Sequence, residues 1–126
     1  MQIEFENLSN EHFISSYGKN YVVINEKKYF DRVILLNSNV DECKSIKDLF
    51  SEKTFQYKIK KIGKEDYNFI LFGTGKITKN IPLKAKEFVI KNNIPYETMK
   101  SISAFKTYNI LLSQGKKILA FLELET

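Results

Sequence analysis

The first residues suited to binding a ligand follow a short apolar run, Phe69–Phe72. Gly73, Thr74 and Gly75 end that run and precede a predicted helix. A strand that ends in glycines before a helix can present backbone N–H groups to an anion. The spacing lacks a third glycine and a Lys-Ser/Thr pair, so it matches neither the dinucleotide fingerprint nor the phosphate loop. Two interpretations remain open: a tight turn that lets two backbone segments approach, or a turn that faces a ligand.

Hydrogen-bonding side chains also interrupt the last predicted helix, which is apolar around most of its circumference. These are Thr107 and Asn109, with Tyr108 between them and Lys106 before them. Buried polar groups need partners, because an orphan costs about 1–3 kcal/mol. Thr107 and Asn109 therefore either bond to the Gly73–Gly75 turn as structure or line a pocket beside it.

The sequence offers no further catalytic or metal-binding set. His12 is the one histidine and Cys43 the one cysteine, too few for a Ser-His-Asp triad, a Cys-His dyad or a multi-cysteine zinc site. We expect Cys43 to be a partly exposed thiol in a loop, without a disulfide partner. No catalytic residue, metal or cofactor is therefore predicted. Any general-acid chemistry would fall to Lys76, Lys106 or Tyr108.

The composition predicts one folded domain. The chain has 126 residues, 43% of them hydrophobic, including ten phenylalanines, which suffices for a core without disulfides. The net charge of +5 comes mostly from lysine, because Arg32 is the only arginine. Sequence-specific nucleic-acid binding is disfavoured, since base and phosphate recognition usually relies on arginine.

Targeting features are also missing from the sequence. No apolar run approaches the roughly 20 residues that a membrane-spanning helix needs. The first residues, Met1–Glu6, carry acidic side chains and no basic signal region. We therefore expect a cytoplasmic protein without a transmembrane segment.

The N-terminal half predicts β structure. A hairpin should turn near Gly18–Asn20, and the chain should reverse again near Asn25–Lys28. The continuous apolar run Val33–Leu36 is typical of a strand covered on both faces. The polar stretch Asn37–Lys44 should be a loop.

The middle of the chain gives weaker signals. Ser45–Phe50 can form one or two helical turns, and Thr54–Ile62 fits both a strand and a helix pattern. The densest basic cluster consists of Lys58, Lys60, Lys61 and Lys64. It is expected to be a solvated face, with an anionic partner as the alternative.

The C-terminal half predicts strand, helix, strand, helix, strand. The strand Tyr67–Phe72 leads to a helix from Pro82 to about Asn92, which Asn92-Asn93 should end. Four residues should form the buried stripe of that helix: Leu83, Phe88, Val89 and Ile90.

A short strand over 94–99 and a helix over 101–114 follow. Ser101 or Ser103 can cap this helix, and Gly115 should end it. The final strand, 117–125, should have two faces because its side chains alternate. One face holds Ile118, Ala120, Leu122 and Leu124, and the other holds Leu119 and Phe121.

This order of elements and motifs resembles the Mth-type domain family, which includes mitochondrial complex I assembly factor 3 and the adipogenesis-associated proteins. The resemblance covers roughly Tyr17–Leu124 and is most specific from Gly73 to Gly115. The family's helix motif reads Ala-Cys-Arg-Thr-Tyr-Asn, followed by Glu-Gly-Arg. The matching positions here are Ala104, Thr107, Tyr108, Asn109 and Gly115. The departures are Phe105 for cysteine, Lys106 for arginine, Gln114 for glutamate and Lys116 for arginine.

The resemblance implies an α/β fold, a single three-layer domain over residues 1–126. A mixed central sheet would carry helices packed on it and an additional β layer from the N-terminal half. It also implies a cleft between the glycine turn and the Thr-Tyr-Asn helix. The candidate site residues are Gly73, Thr74, Gly75, Lys106, Thr107, Tyr108 and Asn109.

The function that the resemblance implies is a non-enzymatic interaction or assembly factor, with respiratory complex I subunits as candidate protein partners. Such a partner would hold the protein at the inner membrane. The alternative is a small-molecule or anion binder, or an enzyme, that uses the predicted cleft. Phe105 excludes thiol chemistry at the motif cysteine, and Lys106 lacks the bidentate fork of arginine.

Overall fold

A computed structural model describes residues 13–36, 39–43 and 66–125. The elements in chain order are β1 (Ile14–Tyr17), β2 (Val22–Ile24), β3 (Lys27–Tyr29), β4 (Val33–Leu36), β5 (Asn39–Glu42), β6 (Phe69–Gly73), α1 (Leu83–Lys91), β7 (Tyr96–Met99), α2 (Ser101–Ser113) and β8 (Ile118–Leu122). The predictions for His12, Ser45–Phe50, Thr54–Ile62 and the lysines between 58 and 64 lie outside the described residues.

Two sheets organise the described chain. The larger has five strands in the order β5-β4-β8-β6-β7, and the smaller has three in the order β1-β2-β3. β6 pairs in parallel with β7 and β8, while β4 pairs antiparallel with β5 and β8. Parallel strands need a crossover connection. The helix α1 connects β6 to its neighbour β7, and α2 connects β7 to β8, which lies on the other side of β6. The predicted α/β fold with a mixed sheet, helices and an added β layer is confirmed.

The three inner strands of the five-stranded sheet, β4, β8 and β6, are buried on both faces. One face packs against α2 and the three-stranded sheet, and the other packs against α1. In β8, Ala120 and Leu122 join the first core while Leu119 and Phe121 join the second. The two predicted faces of this strand are confirmed, and apolar residues from both are buried. The Phe121 ring stacks on that of Phe72, with a centroid distance of 5.5 Å.

Both predicted reversals of the N-terminal half are confirmed. The Gly18 N–H donates to the Tyr21 carbonyl at 3.0 Å. Asn25 and Glu26 both adopt positive φ angles, 48° and 74°, as the two central residues of a type I′ hairpin turn must. The strands that flank this turn, β2 and β3, pair antiparallel.

The predicted loop over Asn37–Lys44 is wrong for Asn39–Glu42, which forms the edge strand β5. Backbone pairing with β4 determines this structure, and an edge strand accepts polar side chains because one of its sides faces outward.

The prediction of a partly exposed Cys43 is also wrong. Cys43 is 4% exposed, its N–H donates to the Arg32 carbonyl at 2.8 Å, and its thiol donates to the Asp41 carbonyl at 3.4 Å.

The predicted buried stripe of α1 is wrong for Leu83 and Ile90, which are 64% and 63% exposed. The prediction is confirmed for Val89, which is buried together with Ala85 one turn before it, and Phe88 is partly buried against the same core. Leu83 and Ile90 are seven residues apart, so they share the opposite side of the helix. The predicted helix stop is confirmed by Asn93, whose φ of 54° lies in the left-handed region.

Candidate functional site

Gly73 lies where α2 crosses the end of β6. A Cβ atom on Gly73 would lie 2.9 Å from the Ala104 Cβ and 3.1 Å from the Leu122 Cδ2. These distances are shorter than van der Waals contact, so a side chain at this position would clash. The helix can pack this closely on the strand because Gly73 has no side chain.

The turn amides that could hold an anion already donate within the protein. The Thr74 N–H donates to the Met99 carbonyl at 2.9 Å, and the Gly75 N–H donates to the Ser101 Oγ at 2.8 Å. The Ser101 N–H returns a bond to the Gly75 carbonyl at 2.8 Å. Gly75 has a φ of +102°, a conformation in which glycine is not strained. The turn and the first residue of α2 are therefore joined by a reciprocal pair of hydrogen bonds.

The Thr74 side chain closes the loop that follows the turn. Thr74 is 3% exposed, and its hydroxyl donates to the Ile77 carbonyl at 2.7 Å. The same oxygen accepts the Lys79 N–H at 3.0 Å. Thr74 thus uses both its donor and its acceptor capacity on the backbone of its own loop.

The predicted serine cap of α2 is wrong. Lys100 occupies the N-cap position, and no side chain caps the helix there. Ser101 is the first helical residue, and its hydroxyl turns toward Gly75 instead. The sequence shows a serine at the right place, but only the packing of α2 on the turn assigns its partner. The predicted end at Gly115 is confirmed by its φ of +80°.

Replacing Ser101 by alanine should lower the free energy of unfolding by about 1–2 kcal/mol, because the Gly75 N–H would become an unsatisfied buried donor. Chemical denaturation of wild type and variant measures the difference. Ser103→Ala on the same helical turn is the matched control and should leave stability within about 0.5 kcal/mol. Equal effects of the two substitutions would contradict the role assigned to the Ser101 hydroxyl.

The Asn109 side chain bonds to strand β1, not to the glycine turn. Its Oδ1 accepts the Ile14 N–H at 3.0 Å, and its Nδ2 donates to the Ile14 carbonyl at 2.7 Å. A carboxamide that accepts from and donates to one residue imitates the peptide group of a neighbouring strand. Asn109 therefore ties the outer edge of the three-stranded sheet to α2.

The other motif residues of α2 have separate surroundings. Tyr108 is 2% exposed within the first core, Lys106 is exposed, and Thr107 is partly buried. Phe105, at the family's cysteine position, is 1% exposed, and its ring centroid lies 5.1 Å from that of Tyr17 in β1. The structure therefore groups Gly73, Thr74 and Gly75 with Ser101, and Asn109 with Ile14.

A separate cleft lies at the opposite end of β6, and the sequence did not indicate it. It has a volume of about 200 Å³ and is lined by Tyr67, Asn68, Asn92, Asn93, Ile94 and Pro95. Tyr67 is 5% exposed. Among the residues that the structure describes, its hydroxyl has no hydrogen-bond partner. The sequence predicted Tyr67 only as the start of a buried strand, because an apolar run does not reveal an unpaired hydroxyl.

Burial raises the pKa of the Tyr67 phenol above its ordinary value of about 10. The buried neutral form is favoured, so the unfolded chain should lose this proton at a lower pH than the folded protein. The contribution of Tyr67 to the free energy of unfolding is fully present below about pH 10 and declines as the pH rises further. The unfolding free energy of wild type should therefore fall more steeply than that of Tyr67→Phe as the pH rises above about 10. Denaturation at stepped pH tests this, and parallel curves would contradict it.

Over residues 13–36, 39–43 and 66–125, no three His, Cys, Asp or Glu side chains cluster so that they could hold a metal ion. Neither α1 nor α2 has the length and apolar run of a transmembrane helix.

The fold and these contacts define a small α/β domain in which a mixed sheet is covered by α1 on one face and by α2 with a three-stranded sheet on the other. The chain belongs to a protein family of unknown function, DUF498/DUF598, whose model matches residues 14–123. No curated protein matches it.

Solved structures share this fold at low sequence identity. A Bordetella parapertussis protein matches with a TM-score of 0.75 and 17% identity, over 90% of this chain and 96% of its own. A Bartonella henselae protein described as an outer membrane protein gives a TM-score of 0.78 and 17% identity, over 92% and 97%. A Mth938-like domain of Bordetella pertussis gives a TM-score of 0.73 and 14% identity, over 90% and 86%. These structures show the fold, and together with the family match they support the predicted resemblance to Mth-type domains.

Proposed function

We propose that this protein is a non-enzymatic interaction protein that helps to assemble a membrane-bound respiratory complex. The observation that carries the proposal is the outer side of α1, where Leu83 and Ile90 are 64% and 63% exposed. They lie about 10 Å apart along the helix axis. Ile77, in the loop before α1, is 60% exposed. Large exposed aliphatic side chains are typical of protein contacts. The exposed side chains of Lys86 and Glu87 lie between Leu83 and Ile90 on the same side of the helix, so this surface combines apolar and charged groups.

The internal bonds of the motif residues also support an interaction role. The amides of Thr74 and Gly75 and the carboxamide of Asn109 all bond to other parts of the chain. They hold the turn, α2 and β1 together, so they support a rigid scaffold more directly than a reaction centre. For the same reason the alternative, an anion site at the glycine turn, receives less support.

The respiratory complex is proposed because of the resemblance to mitochondrial complex I assembly factor 3. That resemblance rests on Ala104, Thr107, Tyr108, Asn109 and Gly115. Three of these have clear structural roles here. Ala104 permits the approach of Gly73, Asn109 holds β1, and Gly115 ends α2. A shared scaffold of this kind can present different outer surfaces, so the partner must be tested directly.

Affinity purification of the tagged protein from native membranes tests the proposal. Respiratory subunits should co-purify with wild type and should be lost from the double variant Leu83→Glu/Ile90→Glu. Ile110→Glu is the matched control, because Ile110 is 56% exposed on α2 and should not alter binding. The proposal fails if no respiratory subunit co-purifies and deletion leaves the assembly of NADH:quinone oxidoreductase intact.

A further inference from the structure

Exposed lysines lie together at the carboxyl end of the parallel strands β6 and β7. The last residues of these strands, Gly73 and Met99, are paired in register. Both helices begin at this end, because α1 follows β6 and α2 follows β7. The exposed lysines of these connections and helix starts are Lys76, Lys79, Lys84 and Lys100. Residues 74–86 contain no Asp or Glu, so this end of the sheet is basic.

The loop after β6 holds a large aliphatic side chain among these lysines. Ile77 is 60% exposed. The Thr74 hydroxyl donates to the Ile77 carbonyl at 2.7 Å and accepts the Lys79 N–H at 3.0 Å. One oxygen thus holds the backbones of Ile77 and Lys79 close together, so this part of the surface is fixed in place.

Lys76 and Lys100 belong to the same surface. The Gly75 N–H donates to the Ser101 Oγ, and the Ser101 N–H donates to the Gly75 carbonyl, both at 2.8 Å. Lys76 follows Gly75 and Lys100 precedes Ser101. Each lysine is therefore one residue from this bonded pair, and the two segments present their positive charges together.

The positions of Lys84 and Lys100 oppose the stability of the helices. Lys84 lies in the first turn of α1, and Lys100 is the N-cap of α2. A helix N-terminus favours acidic side chains over cations, and an N-cap favours Ser, Thr, Asp or Asn. Neither helix has an acidic residue in its first turn. Residues that break such local rules are expected at functional sites, and here their charge indicates an anionic partner.

The nearby acidic side chains leave this surface with an excess of positive charge. The Glu123 N–H donates to the carbonyl of the last residue of β6 at 2.9 Å, and the Glu123 carboxylate pairs with Arg32 at 2.9 Å. Glu97 precedes Lys100 by three residues of chain, about 10 Å, and Glu87 lies about one turn into α1. Two carboxylates at the margin do not balance four lysines.

The composition of the surface favours a lipid bilayer over a nucleic acid. Nonspecific binding of single-stranded nucleic acids relies on aromatic rings that stack on bases, whereas the loop here exposes the aliphatic side chain of Ile77. A bilayer presents anionic phosphates above its acyl chains. Lysines around an exposed aliphatic side chain match this layering.

We infer that this surface, formed by Lys76, Ile77, Lys79, Lys84 and Lys100, binds directly to a bilayer that contains anionic phospholipids. The lysine ammonium groups bind the lipid phosphates, and the Ile77 side chain enters the headgroup region. Such binding needs no protein partner, so the inference goes beyond the proposed function and does not depend on a respiratory subunit.

Flotation of the purified protein with vesicles tests this inference in the absence of any partner. Wild type should float with vesicles of equal parts phosphatidylcholine and phosphatidylglycerol but not with vesicles of phosphatidylcholine alone. Binding should weaken as the salt concentration rises, because salt screens exposed charges. If both vesicles bind equally, the inference is overturned. If neither binds, an acidic protein replaces the bilayer as the candidate partner and the inference is again overturned.

The double variant Lys84→Glu/Lys100→Asp separates binding from stability. A lysine near an anionic surface strengthens binding about fivefold, so the loss of two should weaken vesicle binding by about 25-fold or more. The same variant should melt about 2–5 °C above wild type, because acidic side chains now occupy the starts of both helices. Its matched control is Lys91→Glu/Lys117→Asp, which makes the same charge change at the opposite end of the sheet and should retain vesicle binding. Equal losses of binding in the two variants, or a melting temperature of the first below that of wild type, would overturn the inference.

The variant Ile77→Ser tests the aliphatic contact. It should weaken vesicle binding by about five- to tenfold, because less apolar surface leaves water. Ile110→Ser is its matched control, since Ile110 is 56% exposed on α2, and it should bind vesicles like wild type. Wild-type affinity of Ile77→Ser would overturn the inference. So would a single-stranded oligonucleotide that binds wild type more tightly than the vesicles and depends on the same lysines.

Discussion

Replacing Asn109 by alanine should lower the free energy of unfolding by about 2–4 kcal/mol, because two backbone groups of Ile14 would lose their partners together. The Ile14 N–H and C=O are bonded by the Asn109 carboxamide at 3.0 Å and 2.7 Å. Ile14 is 4% exposed, so water cannot readily replace both bonds. The effect should be largest on the three-stranded sheet, since Asn109 holds its edge strand β1.

Amide hydrogen exchange can locate this effect. The Ile14 amide should exchange much faster in Asn109→Ala than in wild type, whereas amides at the centre of β6 should change only with global stability. Ile110→Ala is the matched control on the next residue. Ile110 is 56% exposed, and alanine favours the helix, so stability should remain within about 0.5 kcal/mol.

Asn109→Asp separates the two bonds. The aspartate keeps an acceptor for the Ile14 N–H but places a carboxylate oxygen against the Ile14 carbonyl, where two acceptors repel. We expect this variant to be destabilised at neutral pH even though its shape is nearly unchanged. If Asn109→Ala is no less stable than Ile110→Ala, or if Asn109→Asp is as stable as wild type, the carboxamide does not anchor β1.

Local patterns in the sequence were sufficient to predict the central strands and several ends of elements. The apolar run before Gly73 and the alternation of β8 give β6 and β8 directly, because side-chain period and burial on both faces are local properties. Asn93 and Gly115 end the helices as predicted, since their left-handed conformations are favourable for few residue types.

Local sequence patterns could not predict the hydrogen-bond partners of the polar motif residues. Asn109 lies 95 positions from Ile14, and Ser101 lies 26 positions from Gly75. A sequence shows that such a buried group needs a partner, but the tertiary fold decides which backbone group approaches it. The prediction of the buried face of α1 was partly wrong for a related reason. Leu83 and Ile90 are as apolar as Val89, and only docking on the sheet selects the face that is buried.

Replacing Gly73 by alanine should lower the free energy of unfolding by about 2–3 kcal/mol through overpacking. The new Cβ would lie 2.9 Å from the Ala104 Cβ, 3.1 Å from the Leu122 Cδ2 and 3.3 Å from the Ser101 Oγ. The Ala104 Cβ is attached directly to the helix backbone and cannot rotate away. The helix α2 would have to move from β6, which would also stretch the bonds between Ser101 and Gly75. Thermal or chemical denaturation measures this loss, and an unchanged stability would show that α2 can shift without strain.

The double variant Gly73→Ala/Ala104→Gly tests the steric cause. Ala104→Gly alone should cost about 1 kcal/mol, because glycine in a helix interior is unfavourable. In the double variant the closest contact is gone, so the two losses should not add, and the coupling free energy should be about 1–2 kcal/mol in the favourable direction. Additive losses would mean that the Gly73 effect arises in the strand backbone and not in the contact with α2. A favourable coupling would instead identify Gly73 as the residue that sets the distance between the strand and the helix, and with it the position from which Asn109 reaches Ile14.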